Sequence, residues 1–300
     1  MALATSTSSP LERAARLWRR GPDVRRLPVI PIVVVLLLAF CAVFADIISP
    51  HDPRGQDEPI RERTQKTLQP PFQSWDNPLG TDRTGRDVMS RMIHGARTSA
   101  VISVIALGSG VLVGAVLGLI AGYRGGWLGA LIMRLVDTVL AFPLILVALL
   151  IIVVLEPGVH SIIIAIAATT WARFARQVRG DVLVAKEQGF VTLAIIAGVP
   201  EAVIIWRHIF PNVVNTLLVV VSLQVGQVIL TEASLSYLGL GLPPDEPAWG
   251  IMVSEGRNFV ISAWWLALFP GVAITLVVLA FNFFGDWLRD TLDPKLRQSQ

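Results

Sequence analysis

Stretches free of Asp, Glu, Lys and Arg recur along the chain at residues 27–45, 98–123, 138–155, 157–172, 209–231 and 258–285. A helix that crosses a hydrocarbon layer needs about 20 predominantly apolar residues, with about 17 as the working minimum. The pattern therefore predicts six membrane-spanning helices. The fourth stretch is the shortest, and it reaches full length only if its helix carries Arg173 and Arg176 into the headgroup region, where long basic side chains can keep their charge in water. The first follows Arg25 and Arg26 and ends in the cleavage-like Val43-Phe44-Ala45. Its apolar run exceeds the about 7–15 residues of a signal peptide, so it reads as a retained anchor.

Between these stretches, three segments carry a pattern of their own. In residues 11–20, Leu11, Ala14, Ala15 and Trp18 share one helical face, with Arg13, Arg16, Arg19 and Arg20 mostly on the other. That suits either a helix lying in the membrane interface or a plain basic tail. Residues 49–97 are rich in Pro, Gly and charge and too long for a turn, so they are expected to pack across the outer face. Residues 173–211 alternate short apolar runs with charges, too short to cross and too apolar for a solvated loop. Either they dock a soluble partner or they fold back on the chain itself.

Composition agrees with a membrane chain: 53% hydrophobic, 16% charged, mean hydropathy +0.63. With the 24 Gly counted in and the 2 Tyr left out, the apolar share is about 60%, against about 45–50% in soluble domains. A soluble globule, a disordered chain and a disulfide-stapled secreted fold are thereby excluded. The one cysteine, Cys41, sits in an apolar run where packing accounts for it.

Charge placement predicts orientation. A cytoplasmic N-terminus puts Arg13, Arg16, Arg19, Arg20, Arg25 and Arg26, then Arg124, Arg134, Arg173, Arg176, Arg179, Lys186 and Arg207, and finally Arg289, Lys295 and Arg297 inside. Basic residues on the other side lie, except Arg257, in the long loop 49–97, and long segments cross largely regardless of charge. Both termini are expected in the cytoplasm. Trp127, Trp171, Trp264, Trp265 and Trp287 fall near span ends, as an interfacial belt requires. The net charge of +3 then reflects orientation rather than a nucleic-acid footprint.

Gly110, Gly114, Gly118, Gly122 and Gly126 recur every fourth residue. They line one helix face where another backbone can come close, either a span of the same subunit or a neighbouring subunit. Arg134 and Asp137, three apart near the inner end of the third span, are placed to pair on one face or to snorkel. Glu232 and Asp286 fall at span ends rather than at a midplane, which argues against an ion relay.

Catalytic chemistry is absent from the pattern. No Gly-Lys dipeptide occurs, so no phosphate-cradling P-loop can form. His51, His94, His160 and His208 show no metal-ligand spacing, and there is no Gly-x-Ser-x-Gly elbow. No metal or cofactor is expected on this chain, and it is not expected to be an enzyme.

Four stretches carry a resemblance. Residues 186–198, Lys-Glu-Gln-Gly-Phe-Val-Thr-Leu-Ala-Ile-Ile-Ala-Gly, followed by Arg207-His208-Ile209-Phe210-Pro211-Asn212, resemble the cytoplasmic EAA loop of ABC importer permeases. Residues 78–87, Pro-Leu-Gly-Thr-Asp-Arg-Thr-Gly-Arg-Asp, with Ser90-Arg91 and Gly95-Ala96-Arg97, are similar to the C-type subunits of the dipeptide/oligopeptide/nickel permease family. So are Leu235-Ser236-Tyr237-Leu238-Gly239-Leu240-Gly241 with Trp249-Gly250, and the run from Phe269-Pro270-Gly271 through Asn282, Gly285-Asp286 and Leu292-Asp293-Pro294.

The resemblance implies an all-α integral membrane protein of the type I ABC importer permease fold, a five-helix core with an added N-terminal helix. It implies peptide cargo, alternating access, a related second permease in a heterodimer, one or two P-loop ATPases holding ATP and Mg, and an extracytoplasmic solute-binding protein. Residues 1–26 would be a cytoplasmic segment, 27–48 the first transmembrane helix, 49–97 an extracytoplasmic loop, 98–288 the transmembrane domain with its coupling loop at about 179–211, and 289–300 a cytoplasmic tail. In the coupling loop the resemblance assigns Glu187, Phe190, Val191, Thr192, Leu193, Ala194, Gly198, Arg207, His208, Pro211 and Asn212 to ATPase contact. Thr192-Leu193-Ala194 stands where the family has Glu-Ala-Ala, so the acid expected to pair with the ATPase is missing and apolar contact must hold the joint. Gly198→Arg is expected to abolish transport by forcing a charged chain into a close helix contact. Tyr237, Gly239, Gly241 and Trp249 are candidates for an outer gate. Cargo, whether dipeptide, longer peptide, nickel or haem, is not set by these residues. An ATP-independent carrier and a membrane scaffold are the rival readings, the first requiring midplane acids or inverted repeats.

Overall fold

Helix α1, Val29–Ile48, opens the computed structural model, which describes residues 27–292. The amphipathic pattern at 11–20, the N-terminal segment and residues 293–300 of the tail lie outside the described residues. α1 is apolar on every side and lies against the two long helices α3, Val88–Tyr123, and α10, Trp265–Leu292. Arg97 of α3 fastens it, donating from Nε to the Ala42 carbonyl at 3.0 Å and from Nη1 to Asp46 at 2.7 Å.

The loop after α1 holds only the short helix α2, Ile60–Gln65. α3 then begins at Val88, well before the charge-free stretch, because Asp87 caps it: the Asp87 carboxylate accepts from the Ser90 N–H at 2.7 Å and the Ser90 hydroxyl at 2.6 Å. α3 has 36 residues, about 54 Å at 1.5 Å per residue, so it outruns a hydrocarbon layer of about 30 Å.

The third stretch is not one continuous helix. α4, Gly126–Ala141, and α5, Leu144–Leu155, meet at 92°. Proline bars the α conformation for the residue before it, and Phe142 is accordingly extended, with ψ 143, ahead of Pro143. α6, Val159–Lys186, continues through Arg173 and Arg176, so much of the segment expected as a loop is helix. By length and apolarity, four helices among the described residues could cross a membrane, or five if the bent pair is one span. α6 is not one of them, because its arginines dilute the apolar stretch.

After α6 come α7, Gly189–Ile196, and α8, Glu201–Tyr237. The first turns of α8 widen into a π-helix at Ile204–Ile209, just ahead of Pro211, which has no N–H to return to the Arg207 carbonyl. One residue on, Asn212 Nδ2 donates to the His208 carbonyl at 2.6 Å. A short buried helix α9, Trp249–Gly256, and a 3₁₀ turn, Arg257–Phe259, lead into α10.

The largest helix pair is α3 with α6, and the glycine face explains it. A Cβ at Gly114 would lie 2.5 Å from the Trp171 carbonyl oxygen, one at Gly118 2.7 Å from that of Ala175, and one at Gly122 2.7 Å from Val182 Cβ, while one at Gly110 would collide with the Thr170 hydroxyl. The contacts rise together, from Gly110 against Thr170 to Gly122 against Val182, so the two helices run parallel and in close contact within one subunit. Gly126 does not belong to this face. It has left α3, has φ +56 and meets nothing within 4 Å.

One charge assignment also changes. Asp137 pairs with Arg176 of α6 at 2.5 Å, and not with Arg134, whose side chain is exposed. Glu232 is fully buried and accepts hydroxyl hydrogen bonds from Ser99 of α3 and Ser236, both at 2.8 Å. It therefore joins α8 to α3 near the C-terminal end of α8.

Candidate functional site: two ends of the helix bundle

At one end, α7 joins the C-terminal end of α6 to the start of α8. Val191 and Ala194 are buried, packed in the same core as Val182, Ala185, Ile204, Ile209 and Val213. The opposite side is bare: Leu193 is 68% exposed and Ile196 78%, with Phe190, Thr192 and Ile195 also open. Phe190 and His208 bring the two halves of the motif together, their ring centroids 6.3 Å apart. Glu187, Arg207, Pro211 and Asn212 lie exposed beside them.

Gly198 ends α7. Its N–H donates to Ile195 O at 3.0 Å and the Val199 N–H to Ala194 O at 3.1 Å, with Gly198 at φ +72. This is a Schellman cap, which a left-handed residue alone can make. A Cβ on Gly198 would meet nothing within 4 Å, so the glycine answers to backbone conformation and not to the close helix contact expected from sequence. Nearby, Lys186 Nζ donates to the Tyr123 carbonyl at 3.0 Å and lies over the Tyr123 ring, placing a cation at the C-terminal end of α3.

At the other end, residues 49–87 form a cap that meets α9. Here three charged side chains of residues 82–91 meet one from α9. Arg86 Nε donates to Asp82 Oδ2 at 2.6 Å and its Nη2 to Glu255 at 3.2 Å; Arg91 Nη1 donates to Asp82 Oδ2 at 2.6 Å and to Glu255 Oε2 at 2.7 Å. Arg91 is 1% exposed. Burial alone would raise the Asp82 carboxyl, but Arg91 and Arg86, with the N–H of Arg86 and the Thr84 hydroxyl, hold it below the usual carboxylate range. Trp265 Nε1 adds a bond to the Thr81 carbonyl at 3.3 Å. The loop was expected across an outer face; the partner residue Glu255 was not read from sequence, since only its position in space marks it.

The gate candidates cluster at this same end. Gly239 ends α8 with a second Schellman cap, Gly239 N–H to Ser236 O at 3.0 Å and Leu240 N–H to Leu235 O at 3.2 Å. Gly241 lies against α6, where a Cβ would sit 2.5 Å from Ile162 Cδ1. Trp249 is buried, its Nε1 donating to the Met92 carbonyl at 2.9 Å and its ring covering Gly95. Tyr237 has the Arg257 guanidinium over its ring at 5.9 Å. Among the described residues, no three His, Cys, Asp or Glu side chains come together in a way that could hold a metal ion.

The described residues thus form an all-helical bundle with a self-packed cap at one end and a bare apolar helix at the other. Residues 114–298 match the family described as the binding-protein-dependent transport system inner membrane component. The chain belongs to that family. It is 40% identical over 263 residues to the glutathione transport system permease protein GsiD of Pectobacterium atrosepticum, covering 88% of this chain and 85% of that one. It is 38% identical over 274 residues to the di/tripeptide transport system permease protein DppC of Pseudomonas aeruginosa, 89% and 88%. To the dipeptide transport system permease protein DppC of Alkalihalophilus pseudofirmus it is 38% identical over 272 residues, 91% and 87%. The chain is thus the multi-pass membrane component of an ABC-type transport system, and its all-α permease fold agrees with the sequence reading.

Proposed function

We propose that this chain is one permease subunit of an ATP-driven importer of short peptides, working with a related second permease, one or two P-loop ATPases that hold ATP and Mg, and a solute-binding protein. The observation that carries the reading is the bare apolar side of α7. Phe190, Leu193 and Ile196 sit at the end of the bundle on a helix of only 8 residues, too short to cross a bilayer. Apolar contact contributes about 25 cal/mol per Å² buried, so a cleft in an ATPase could hold this helix without the missing acid of the Glu-Ala-Ala motif. In this reading α7 faces the cytoplasm, as do both termini, and the cap end faces outward. Closure of the ATPases would then move α7 and, through the α6 and α8 helices it joins, the cap end. A binding protein opens the route only by favouring one of these two states. The peptide class follows the relatives' names.

Reconstituting the assembled system in liposomes tests this: uptake of a short peptide should need both ATP and the binding protein. Leu193→Asp should release the ATPase during gentle affinity purification while the permease stays inserted. Uptake without ATP, or ATPase retention by Leu193→Asp, would overturn the proposal.

A further inference from the structure

An open cleft of about 480 Å³ lies at the cap end, between the loop that carries α2 and the segment joining α8 to α9. That is within the about 300–1,000 Å³ of small-molecule sites. Its walls carry Arg54, Arg63, Arg86, Asp245 and Glu246. Most of this charge is already spoken for. Arg54 is paired with Glu246 at 2.6 Å, and Arg86 with Asp82 and Glu255.

Two groups remain. Arg63 has no carboxylate within ion-pair distance among the described residues, its one recorded acceptor being the Arg54 carbonyl at 3.4 Å, and its Nε is shielded from solvent with no hydrogen-bond partner. Asp245 has a side chain 88% exposed, with only Arg86 Nη1 at 4.0 Å. A spare guanidinium and a spare carboxylate on the walls of one cleft select a ligand that carries both charges.

We propose that this cleft binds a short peptide with free ends, its carboxylate on Arg63 and its ammonium on Asp245. The choice of peptide rests on the importer reading; the demand for a ligand with two opposite charges rests on the cleft alone. Guanidinium also suits carboxylate geometry, through paired N–H donors.

The test uses the purified, assembled complex in nanodiscs without binding protein, titrated calorimetrically with dialanine, N-acetyl-dialanine and dialanine amide. Dialanine should bind best. Arg63→Gln should weaken it about tenfold and erase its advantage over the amide. Asp245→Asn, a change at an exposed side chain that cannot disturb folding, should erase its advantage over the acetylated form. Equal binding of all three peptides, no binding, or variants that behave as wild type would overturn the proposal. So would a variant that loses capture of the binding protein but keeps dialanine, since the cleft would then be a protein docking surface. Wild-type uptake in liposomes separates this from the importer reading. If uptake lacks ATP dependence while the charge-specific binding holds, the cleft stands and the importer falls; the reverse fells only the cleft.

Discussion

Arg91 and Glu255, 164 positions apart, meet through Nη1 and Oε2 at 2.7 Å, and the same nitrogen reaches Asp82 at 2.6 Å. One buried guanidinium thus ties the cap, the start of α3 and α9 together. Arg91→Met would leave two carboxylates facing each other with only Arg86 between them. Breaking a buried pair on one side costs about 3–5 kcal/mol. The expected outcome is a marked fall in the thermal unfolding midpoint of the purified protein in detergent, larger than for Arg54→Met, whose pair with Glu246 is partly exposed and worth about 0–1 kcal/mol.

Asp82 gives the same network a pH signature. Its folded carboxyl titrates below its unfolded value, held down against burial by Arg91 and Arg86. Its contribution is therefore complete above the unfolded value of about 3.9 and is lost as pH falls through the lower folded value. The Thr84 and Arg86 amides, which donate to Asp82 Oδ1 at 2.8 and 3.0 Å, report on it directly. Their hydrogen exchange, corrected for the intrinsic pH dependence, should stay flat from pH 7 to 5 and rise only below about pH 4. Loss of protection between pH 7 and 5 would contradict this assignment.

Two glycines of α3 should respond with opposite signs to alanine. At Gly114 an added Cβ would lie 2.5 Å from the Trp171 oxygen and 2.6 Å from Phe174 Cβ, so α3 and α6 must part. Overpacking of this kind costs about 1–3 kcal/mol. At Gly108 nothing lies within 4 Å, and alanine gains up to about 1 kcal/mol from helix propensity. Thermal midpoints of Gly114→Ala and Gly108→Ala in one detergent should move down and up respectively.

How far the sequence could be read depended on the range of the interaction. The face of Gly110, Gly114, Gly118 and Gly122 was legible because a spacing of four is a local property of a helix. Gly126 keeps the spacing but not the helix, since α3 ends at Tyr123. The break ahead of Pro143 was missed, because freedom from charge, by which residues 138–155 were read as one span, says nothing about bending. Asp137 was matched to Arg134 by sequence distance, while the packing of α4 on α6 supplies Arg176. The coupling loop was placed by resemblance to the EAA motif, and α7 leaves Leu193 and Ile196 bare, but the cluster of Asp82, Arg86, Arg91 and Glu255 depends on tertiary approach that no local period encodes.

Gly198 separates a backbone requirement from a surface one. Its φ of +72 closes the cap of α7, and the space around it is empty within the chain. A non-glycine residue there costs about 1–2 kcal/mol, less for asparagine, which frays the last turn without unfolding the bundle. Gly198→Asn and Gly198→Ala should therefore keep most ATP-dependent uptake in liposomes. Gly198→Arg bears the same backbone cost and adds a long cation beside Leu193 and Ile196, so an added loss of uptake in that variant alone would locate a partner surface at this point. If alanine abolished uptake as fully as arginine, the cap geometry and not the surface would be what transport requires.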